Sequence, residues 1–361
     1  MQSKRVNKQA AVLLPAAVVV LCAFILLYPR EMTEAARGGV GLWFNGVLPA
    51  LLPFVVGVNL LVALGAVRFM GVLLNPVMRP LFGVPGSGAF AFLAGVMSGS
   101  PVGVKVTCEL RESGAISRIE GQRLLAFAGN CGPLFILGTI GGMLGNMAAA
   151  WFILMVHVFG AVVTGLLFKS YGKSEDEQAK QGEVVECSTR MKNGIIKEAF
   201  RAMMNARRED GRGFGQVLTV SVKQAMHTLF VIGGFVILFS VVSTALELAG
   251  VFAVLAGAAA YAAPLSAEFL EGIFTGVLEM ANGAAAICEY GCTEFGSAVC
   301  GGKRLILLTL VGVVSWGGFS VHAQAAGFMA KTDLRFGVYL FAKVIHVVVA
   351  IGLGVVLIRF L

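Results

Sequence analysis

The sequence predicts an all-α polytopic membrane protein built from two inverted repeats, each with a re-entrant helical hairpin and a broken transmembrane helix. Hydrophobic residues make up 57% of the 361 positions and charged residues only 13%, a balance typical of proteins embedded in lipid. Apolar runs of membrane-spanning length recur along the chain. The 47 glycines fit this class, because glycine in membranes allows close helix contact and marks helix breaks.

The apolar runs define the predicted transmembrane helices. Residues 1–46 contain the first helix, Ala10–Tyr28, and a connector. A signal peptide is the alternative, but no small-residue cleavage site precedes "PREMTEAARGG", so we predict a retained helix. Further spans are predicted at about 47–67, 123–147, 148–169, 226–247, 304–328 and 337–360, with additional helices around Phe69–Phe82 and 249–263.

Two interrupted apolar segments do not fit a simple crossing of the membrane. The first, 88–112, is interrupted by "SGSP", and the second, 265–293, by "EMANG". Segments of this length with a polar centre are typical of helical hairpins that enter the membrane and return on the same side. We therefore predict two re-entrant hairpins whose tips are these polar interruptions.

Positive charge predicts the orientation. Lys4, Arg5 and Lys8 place the N-terminus in the cytoplasm, and the number of spans then places "RESGAISRIEGQR", the 170–225 linker and "KTDLR" there too. The net charge of +8 is therefore interpreted as cytoplasmic loop charge, and nucleic acid is not an expected partner. The amphipathic piece "IIKEAFRAMMNARR" predicts a linker helix on the inner membrane surface; binding of a partner or of specific lipids there is the alternative.

The two halves of the chain, 47–169 and 226–361, repeat one order of elements. Each half has a span, a short helix, a hairpin, a broken span and a final span. Local similarity supports the match, since "FLAGVMSGSPVGVKVTCEL" aligns with "IFTGVLEMANGAAAICEYG". The first hairpin is entered from the inside and the second from the outside, so the repeats are inverted. Such repeats with paired broken helices predict a substrate site near the middle of the membrane.

The hairpin tips and the breaks "GNCGP" and "SWGGFSVHAQ" supply the candidate site. An unwound membrane helix exposes backbone groups, so it persists only against protein or a hydrated cavity. The predicted substrate-binding residues are Ser98, Ser100, Asn130, Asn282, Ser315, Ser320, His322 and Gln324. Trp316 or Phe319 would stack on an aromatic ring. Open amide groups at helix N-termini suit a carboxylate, which favours an anionic substrate.

Three ionisable residues in apolar segments need separate interpretation. Glu279 lies at the second hairpin tip and is a candidate for binding a coupling proton or Na⁺, because acidic groups at membrane depth are usually functional. The alternative is a solvated tip residue. His157 and His346 each stand alone in an apolar span and are interpreted as packing or interfacial groups.

The tip "GSP", the break "GNCGP" and above all "GGFSVHAQ" resemble a known family. They are similar to sporulation integral membrane proteins of the nucleoside-recognition (Gate) superfamily, whose stage V members are implicated in dipicolinate transport. The resemblance covers about residues 40–360. The wider superfamily includes concentrative nucleoside transporters with a similar hairpin and broken-helix plan. The resemblance implies an elevator-like or gating transporter, although the first tip lacks the acidic or Gln side chain of the nucleoside carriers.

The expected function is transport of a small organic anion, with dipicolinate moved from the mother cell toward the forespore. The expected location is the cell membrane, and in sporulating cells the outer forespore membrane. A nucleoside or related metabolite carrier, and a non-transporting assembly or signalling protein, are the alternatives. No nucleophile–base pair, phosphate loop or paired C-x-x-C motif appears, so we expect no enzyme, cofactor or metal site. A disulfide among Cys288, Cys292 and Cys300, and a homo-oligomer, stay open.

Overall fold

The computed structural model describes residues 8–173, 194–261, 265–295 and 303–360, and every regular element within these ranges is a helix. In this part of the chain, four helices are long and apolar enough to cross a membrane. Three bent helix pairs raise the number to as many as seven if each pair is one span. The protein is therefore an all-α polytopic membrane protein, as its composition predicts.

The N-terminal helices pack against the second half of the chain. Helix α1 (Lys8–Leu27) and helix α2 (Pro29–Gly41) are bent by 106° at Tyr28, and α2 continues as a π-helical turn to Val47. Proline suits the first position of α2, because the amide hydrogen that it lacks would have no helical partner there. The Trp43 indole donates to the carbonyl of Leu229 at 2.9 Å, which ties this connector to a long helix of the second half.

The span predicted at 47–67 is shorter than expected. Helix α3 (Leu48–Ala63) ends before Gly65, whose φ of +88° favours glycine and turns the chain by 73° into helix α4 (Ala66–Leu73). The single helix predicted around Phe69–Phe82 is likewise divided. Its second part is helix α5 (Asn75–Phe82), which starts beside a proline.

The first hairpin has the predicted place in the chain. Helices α6 (Ser87–Ser98) and α7 (Val102–Glu112) flank a tip of Gly99, Ser100 and Pro101, in which the Ser100–Pro101 peptide bond is cis. Gly95 and Gly103 lie opposite each other, since a Cβ atom on Gly103 would be 2.8 Å from the Cα of Gly95. Small residues therefore let the two arms of the hairpin approach closely.

The span predicted at 123–147 is broken as expected but begins earlier. Helix α8 (Arg118–Ala128) starts at a capping box formed by Ser117 and Glu120, and the chain is then non-helical from 129 to 132. Helix α9 (Leu134–Leu144) continues after the break, and helix α10 (Met147–Phe168) completes the first half. The capping box explains the early start, because it satisfies backbone amides at the helix end.

The linker contains the predicted amphipathic helix. Helix α11 (Ile195–Asp210) packs on α4, with the Phe69 and Phe200 rings 5.1 Å apart and Gly65 against Met203. The next helix, α12 (Phe214–Leu248), begins well before the predicted start at 226, so the polar linker is shorter than 170–225. The linker residues 174–193, including Cys187, lie outside the described ranges.

The second half repeats the hairpin and the break. Its helices are α13 (Val251–Ala260), α14 (Ala267–Leu278), α15 (Met280–Phe295), α16 (Arg304–Trp316), α17 (Gly318–Met329) and α18 (Phe336–Leu357). Helices α14 and α15 form the second hairpin, where a Cβ on Gly283 would lie 2.0 Å from the Cα of Gly276. Helices α16 and α17 together form a 26-residue segment interrupted at Gly317. Cys300 falls outside the described residues, so the disulfide question stays open.

Segments predicted to share the cytoplasmic side lie together. The Arg111 guanidinium at the end of the first hairpin donates to both carboxylate oxygens of Asp333, at 2.9 and 3.0 Å. Gln122 exchanges two hydrogen bonds with the backbone of Arg335. The hydrogen bonds from Arg111 hold the pKa of Asp333 below its usual value. The pair therefore stabilises this end at neutral pH and loses that effect only as the pH falls through the depressed pKa.

The inverted-repeat prediction requires the linker helix and the second hairpin's C-terminal end to face opposite sides of the membrane. Glu209 on α11 and Glu294 on α15 are both exposed. We expect Glu209→Cys and Glu294→Cys, each placed in a chain without other reactive cysteines, to label from opposite sides with an impermeant thiol reagent. Labelling in intact cells and in inverted vesicles gives the comparison. Labelling of both positions from one side would contradict the inverted arrangement.

Candidate substrate-binding site

In the first half, the hairpin tip packs directly on the helix break. A Cβ atom on Gly99 would lie 3.0 Å from the backbone nitrogen of Gly132, and one on Gly132 would lie 3.2 Å from the nitrogen of Gly99. Just below the tip, Cβ atoms on Gly95 and Gly103 would each lie 1.9 Å from the carbonyl oxygen of Ala128, the last residue of α8. The first tip and the first break are therefore one packed unit.

In the second half, the tip and the break are packed in the same way. Gly318 has a φ of +79°, and a Cβ atom there would lie 3.0 Å from the nitrogen of Met280 and 3.3 Å from the Cα of Glu279. The Trp316 indole donates to the carbonyl of Val277 at 2.9 Å. The break is short: Gly317 and Gly318 both have positive φ angles, of +89° and +79°, and the helix resumes directly after them. Ser320, His322 and Gln324 thus lie on the first turns of α17 and not on an unwound segment.

His157 connects the two breaks. Its Nε2 accepts a hydrogen bond from the backbone amide of Cys131 at 2.9 Å, and its Nδ1 lies 3.1 Å from the hydroxyl of Ser315. Because Nε2 accepts from an amide, the imidazole is neutral with its hydrogen on Nδ1, and Ser315 is the acceptor. A buried side chain of α10 therefore joins the first break to the last turn before the second.

Lys343 on α18 extends this connection. It is 3% exposed, and its Nζ donates to the carbonyl of Gly129 at 2.9 Å, at the point where α8 unwinds. The same Nζ lies 3.4 Å from Nδ1 of His346, whose Nε2 is 3.0 Å from the carbonyl of His157. The amine of a lysine thus lies among polar groups from α8, α10 and α18.

His322 is held beside the same region by Tyr339. Its Nδ1 lies 3.1 Å from the Tyr339 hydroxyl, and its ring packs edge-on against Trp316, with ring centroids 4.4 Å apart. A Cβ atom on Gly129 would be 3.7 Å from the Tyr339 ring and 4.0 Å from the hydroxyl of Ser100. Tyr339 therefore brings the second-half residue His322 near the first tip and the first break.

Five buried polar atoms in this region have no hydrogen-bond partner within the protein. They are Ser98 Oγ, Ser100 Oγ, Asn130 Oδ1, His322 Nε2 and Gln324 Oε1. In the described residues, Ser240 Oγ is the one further side-chain atom of this kind. An unpaired buried polar group costs about 1–3 kcal/mol, so a ligand that bonds these atoms would be stabilised. All five belong to the residues that the sequence predicts for the site.

Glu279, at the second hairpin tip, caps a helix in this structure. Glu279 is only 5% exposed, which contradicts its interpretation as a solvated tip residue. Its Oε2 accepts from the amide of Asn282 at 2.7 Å, so the carboxylate caps the start of α15, where the helix dipole favours negative charge.

Asn282 lines a cavity of about 560 Å³ that is also lined by Glu268, Glu271 and Glu289. A second cavity, of about 840 Å³, borders the first hairpin and α11.

The two remaining predicted residues lie just after the second break. Ser320 is buried on α17, whereas Phe319 is 43% exposed. Sequence reasoning missed Lys343 and Tyr339. His157 and His346, which the sequence analysis interprets as packing or interfacial groups, are both buried and hydrogen-bonded within the protein. One signal was present in the sequence: Lys343 is a basic residue inside an apolar span, and such a residue is a candidate functional residue by default.

These features define an all-α polytopic membrane protein in which two hairpins and two helix breaks enclose a buried polar centre. A Gate family profile, described as nucleoside recognition, matches residues 44–174, which contain the first hairpin and break. Over 334 residues the chain is 33% identical to the sporulation integral membrane protein YlbJ of Bacillus subtilis (strain 168), covering 91% of this chain and 78% of that protein. The chain therefore belongs to this family of sporulation integral membrane proteins with a Gate domain, which confirms the resemblance. No solved structure matches it at a significant level.

Proposed function

We propose that this protein transports a small organic anion across the membrane. The observation that carries the proposal is the buried polar centre, where packing and hydrogen bonds join the first hairpin tip, the two helix breaks and Lys343, and where polar atoms of the predicted site residues have no partner. An unwound membrane helix persists only against protein or a hydrated cavity, and paired helix breaks of this kind are typical of the substrate sites of transporters. Ser98, Ser100, Asn130, Ser315, Ser320, His322 and Gln324 are the proposed substrate-binding residues, with Asn282 on the second hairpin as a further proposed contact.

The charge of the centre supports an anion. Lys343 supplies a basic group there, and no carboxylate of the described residues lies within 4 Å of its Nζ. Glu279, the buried acid of the second hairpin, is engaged by the amide of Asn282. A charged group buried without a counter-ion is costly, so an anionic ligand would complement Lys343.

Dipicolinate is the anion that the proposal favours. The matched relative is named as a sporulation protein, and dipicolinate combines two carboxylates with an aromatic ring. The rings of Trp316, His322 and Tyr339 lie together at the centre and suit an aromatic ligand. In this proposal the protein lies in the outer forespore membrane with its N-terminus in the cytoplasm, and moves dipicolinate from the mother cell toward the forespore.

A nucleoside or related metabolite is the second candidate substrate. Asn130 Oδ1 and Gln324 Oε1 are unpaired acceptors, and a nucleobase N–H would satisfy them. The nucleoside-recognition description of the matched profile points the same way. A non-transporting sporulation protein is the rival from another class, and it would tolerate loss of the polar side chains at the breaks.

The proposal is tested by complementation. A sporulating host that lacks its own relative is supplied with this chain, and the dipicolinate content of its purified spores is measured. We expect the wild-type chain to restore dipicolinate. Spores that stay poor in dipicolinate, although the protein is present in the membrane, would contradict the favoured substrate. Nucleoside uptake is measured in the same strain, and uptake of nucleosides without restored dipicolinate would favour the second candidate substrate.

A further inference from the structure

The surroundings of Lys343 contain several titratable groups but, among the described residues, no carboxylate. They are Cys131 from the first break, His157 from α10, His322 from α17 and His346 from α18 itself. Within the described ranges, none of the groups that face its Nζ is a carboxylate. Lys343 therefore lacks a protein counter-ion in a region that is almost completely buried.

The hydrogen bonds of Lys343 show how many of its N–H donors have an acceptor when the amine is neutral and when it is protonated. His346 Nε2 must carry the hydrogen, because it faces the carbonyl of His157 at 3.0 Å, so His346 Nδ1 is an acceptor toward Lys343. Gly129 supplies the other acceptor at 2.9 Å. A neutral amine has two N–H donors, and these two acceptors satisfy both. Protonation adds one further donor, for which the protein provides no acceptor.

We propose that Lys343 binds a carboxylate of the transported anion and takes up one proton as that anion binds. The inference rests on the proposed function and assigns the coupling ion. The new N–H⁺ group donates to the carboxylate, and each charge stabilises the other in the buried centre. One proton from water is consumed for each anion bound and is released when the anion leaves. Anion and proton therefore cross the membrane together.

The proposal fixes the sign of the pH dependence. Binding consumes a proton, so affinity falls as the pH rises above the value at which the free site ionises, by about tenfold per pH unit. Glu279 is the other candidate coupling group. In this proposal its carboxylate caps α15 and does not exchange the coupling proton, which makes the two candidates separable by mutation.

The test uses the purified full-length chain in lipid nanodiscs. Pyridine-2,6-dicarboxylate is the probe, and the uncharged pyridine-2,6-dicarboxamide is its matched control ligand. Calorimetry in buffers of different ionisation enthalpy gives the number of protons taken up on binding. We expect about one proton for the dicarboxylate and none for the dicarboxamide.

Variants of Lys343 test whether this residue takes up the proton when the anion binds. Lys343→Met is expected to weaken dicarboxylate binding at least about tenfold and to abolish proton uptake, because the charged donor is lost. Lys343→Arg is expected to bind without proton uptake, since arginine stays charged. Lys197→Met, on the exposed face of α11, is the control and should match the parent. Glu279→Gln should keep proton uptake.

Each outcome has a defined meaning. If the folded parent does not bind pyridine-2,6-dicarboxylate, the proposed function fails for its favoured substrate and this inference fails with it. If the parent binds the dicarboxylate without proton uptake, or if Lys343→Met binds equally well, only the inference is overturned. If the Lys343 variants do not fold, the parent and Glu279→Gln decide: loss of proton uptake in Glu279→Gln assigns the coupling to Glu279 and overturns the inference.

Discussion

Gly95→Ala and Gly103→Ala are each expected to prevent the first hairpin from packing against the first break. A Cβ atom at either position would lie 1.9 Å from the carbonyl oxygen of Ala128, which belongs to the backbone and cannot rotate away. Overpacking of a tight core costs about 1–3 kcal/mol, and a collision with backbone belongs at or above the top of that range. The tip would shift away from the break, and with it the polar atoms of the site.

The measurement is the thermal unfolding midpoint of the detergent-purified variants, together with their yield. Gly138→Ala and Gly142→Ala are matched controls in the same half, because a Cβ atom on either meets no atom within 4 Å. We expect the controls to behave as the parent protein does. An unfolding midpoint for Gly95→Ala equal to that of Gly138→Ala would show that the hairpin is not packed on the break in this way.

Asn130→Ala and His322→Ala are expected to reduce anion transport strongly while leaving protein in the membrane. Both side chains are 1% exposed. His322 Nε2 has no protein partner, and Asn130 Nδ2 has a second N–H besides the one that donates to the carbonyl of Phe127 at 2.7 Å, so each side chain can donate to a carboxylate. Loss of a hydrogen bond to a charged ligand costs about 1.5–3 kcal/mol, which corresponds to a reduction of about 10- to 150-fold in affinity. In sporulating cells the expected result is spores poor in dipicolinate.

Two exposed residues provide matched controls for these variants. Asn205→Ala on α11 and His227→Ala on α12 remove the same side chains away from the buried centre. They should leave transport near the parental rate. If Asn130→Ala and His322→Ala also keep the parental rate, these two residues do not bind substrate. The non-transporting alternative would gain support if spore formation were normal in the same variants.

The hairpins and breaks could be predicted because their signals are local. Polar and small residues such as those of "SGSP", "EMANG" and "GNCGP" interrupt long apolar runs, and these interruptions are visible in the sequence itself. Element boundaries were less predictable. Helix α3 ends early at a positive-φ glycine, and α12 begins before its apolar stretch, since packing against neighbouring helices extends it. Hydrophobicity alone does not report either effect.

The polar connection between the halves could not be predicted. His157 forms hydrogen bonds with Cys131 and with Ser315, and Ser315 is 158 positions from His157 in the chain. Lys343 donates to the carbonyl of Gly129, which is 214 positions from Lys343. Such contacts depend on how α10 and α18 pack, and no local pattern encodes that packing. Each histidine alone in an apolar span is therefore ambiguous until its partners are known. Lys343 was the exception, because a lysine in such a span already indicates function.

The most direct test of the central claim is uptake of labelled dipicolinate by lipid vesicles that contain the purified protein. We predict uptake that exceeds that of protein-free vesicles, is driven by an inwardly directed proton gradient, and falls about tenfold or more in His322→Ala but not in His227→Ala. Uptake equal to that of protein-free vesicles, from correctly folded protein and with a proton gradient present, would contradict the claim that this buried centre moves dipicolinate.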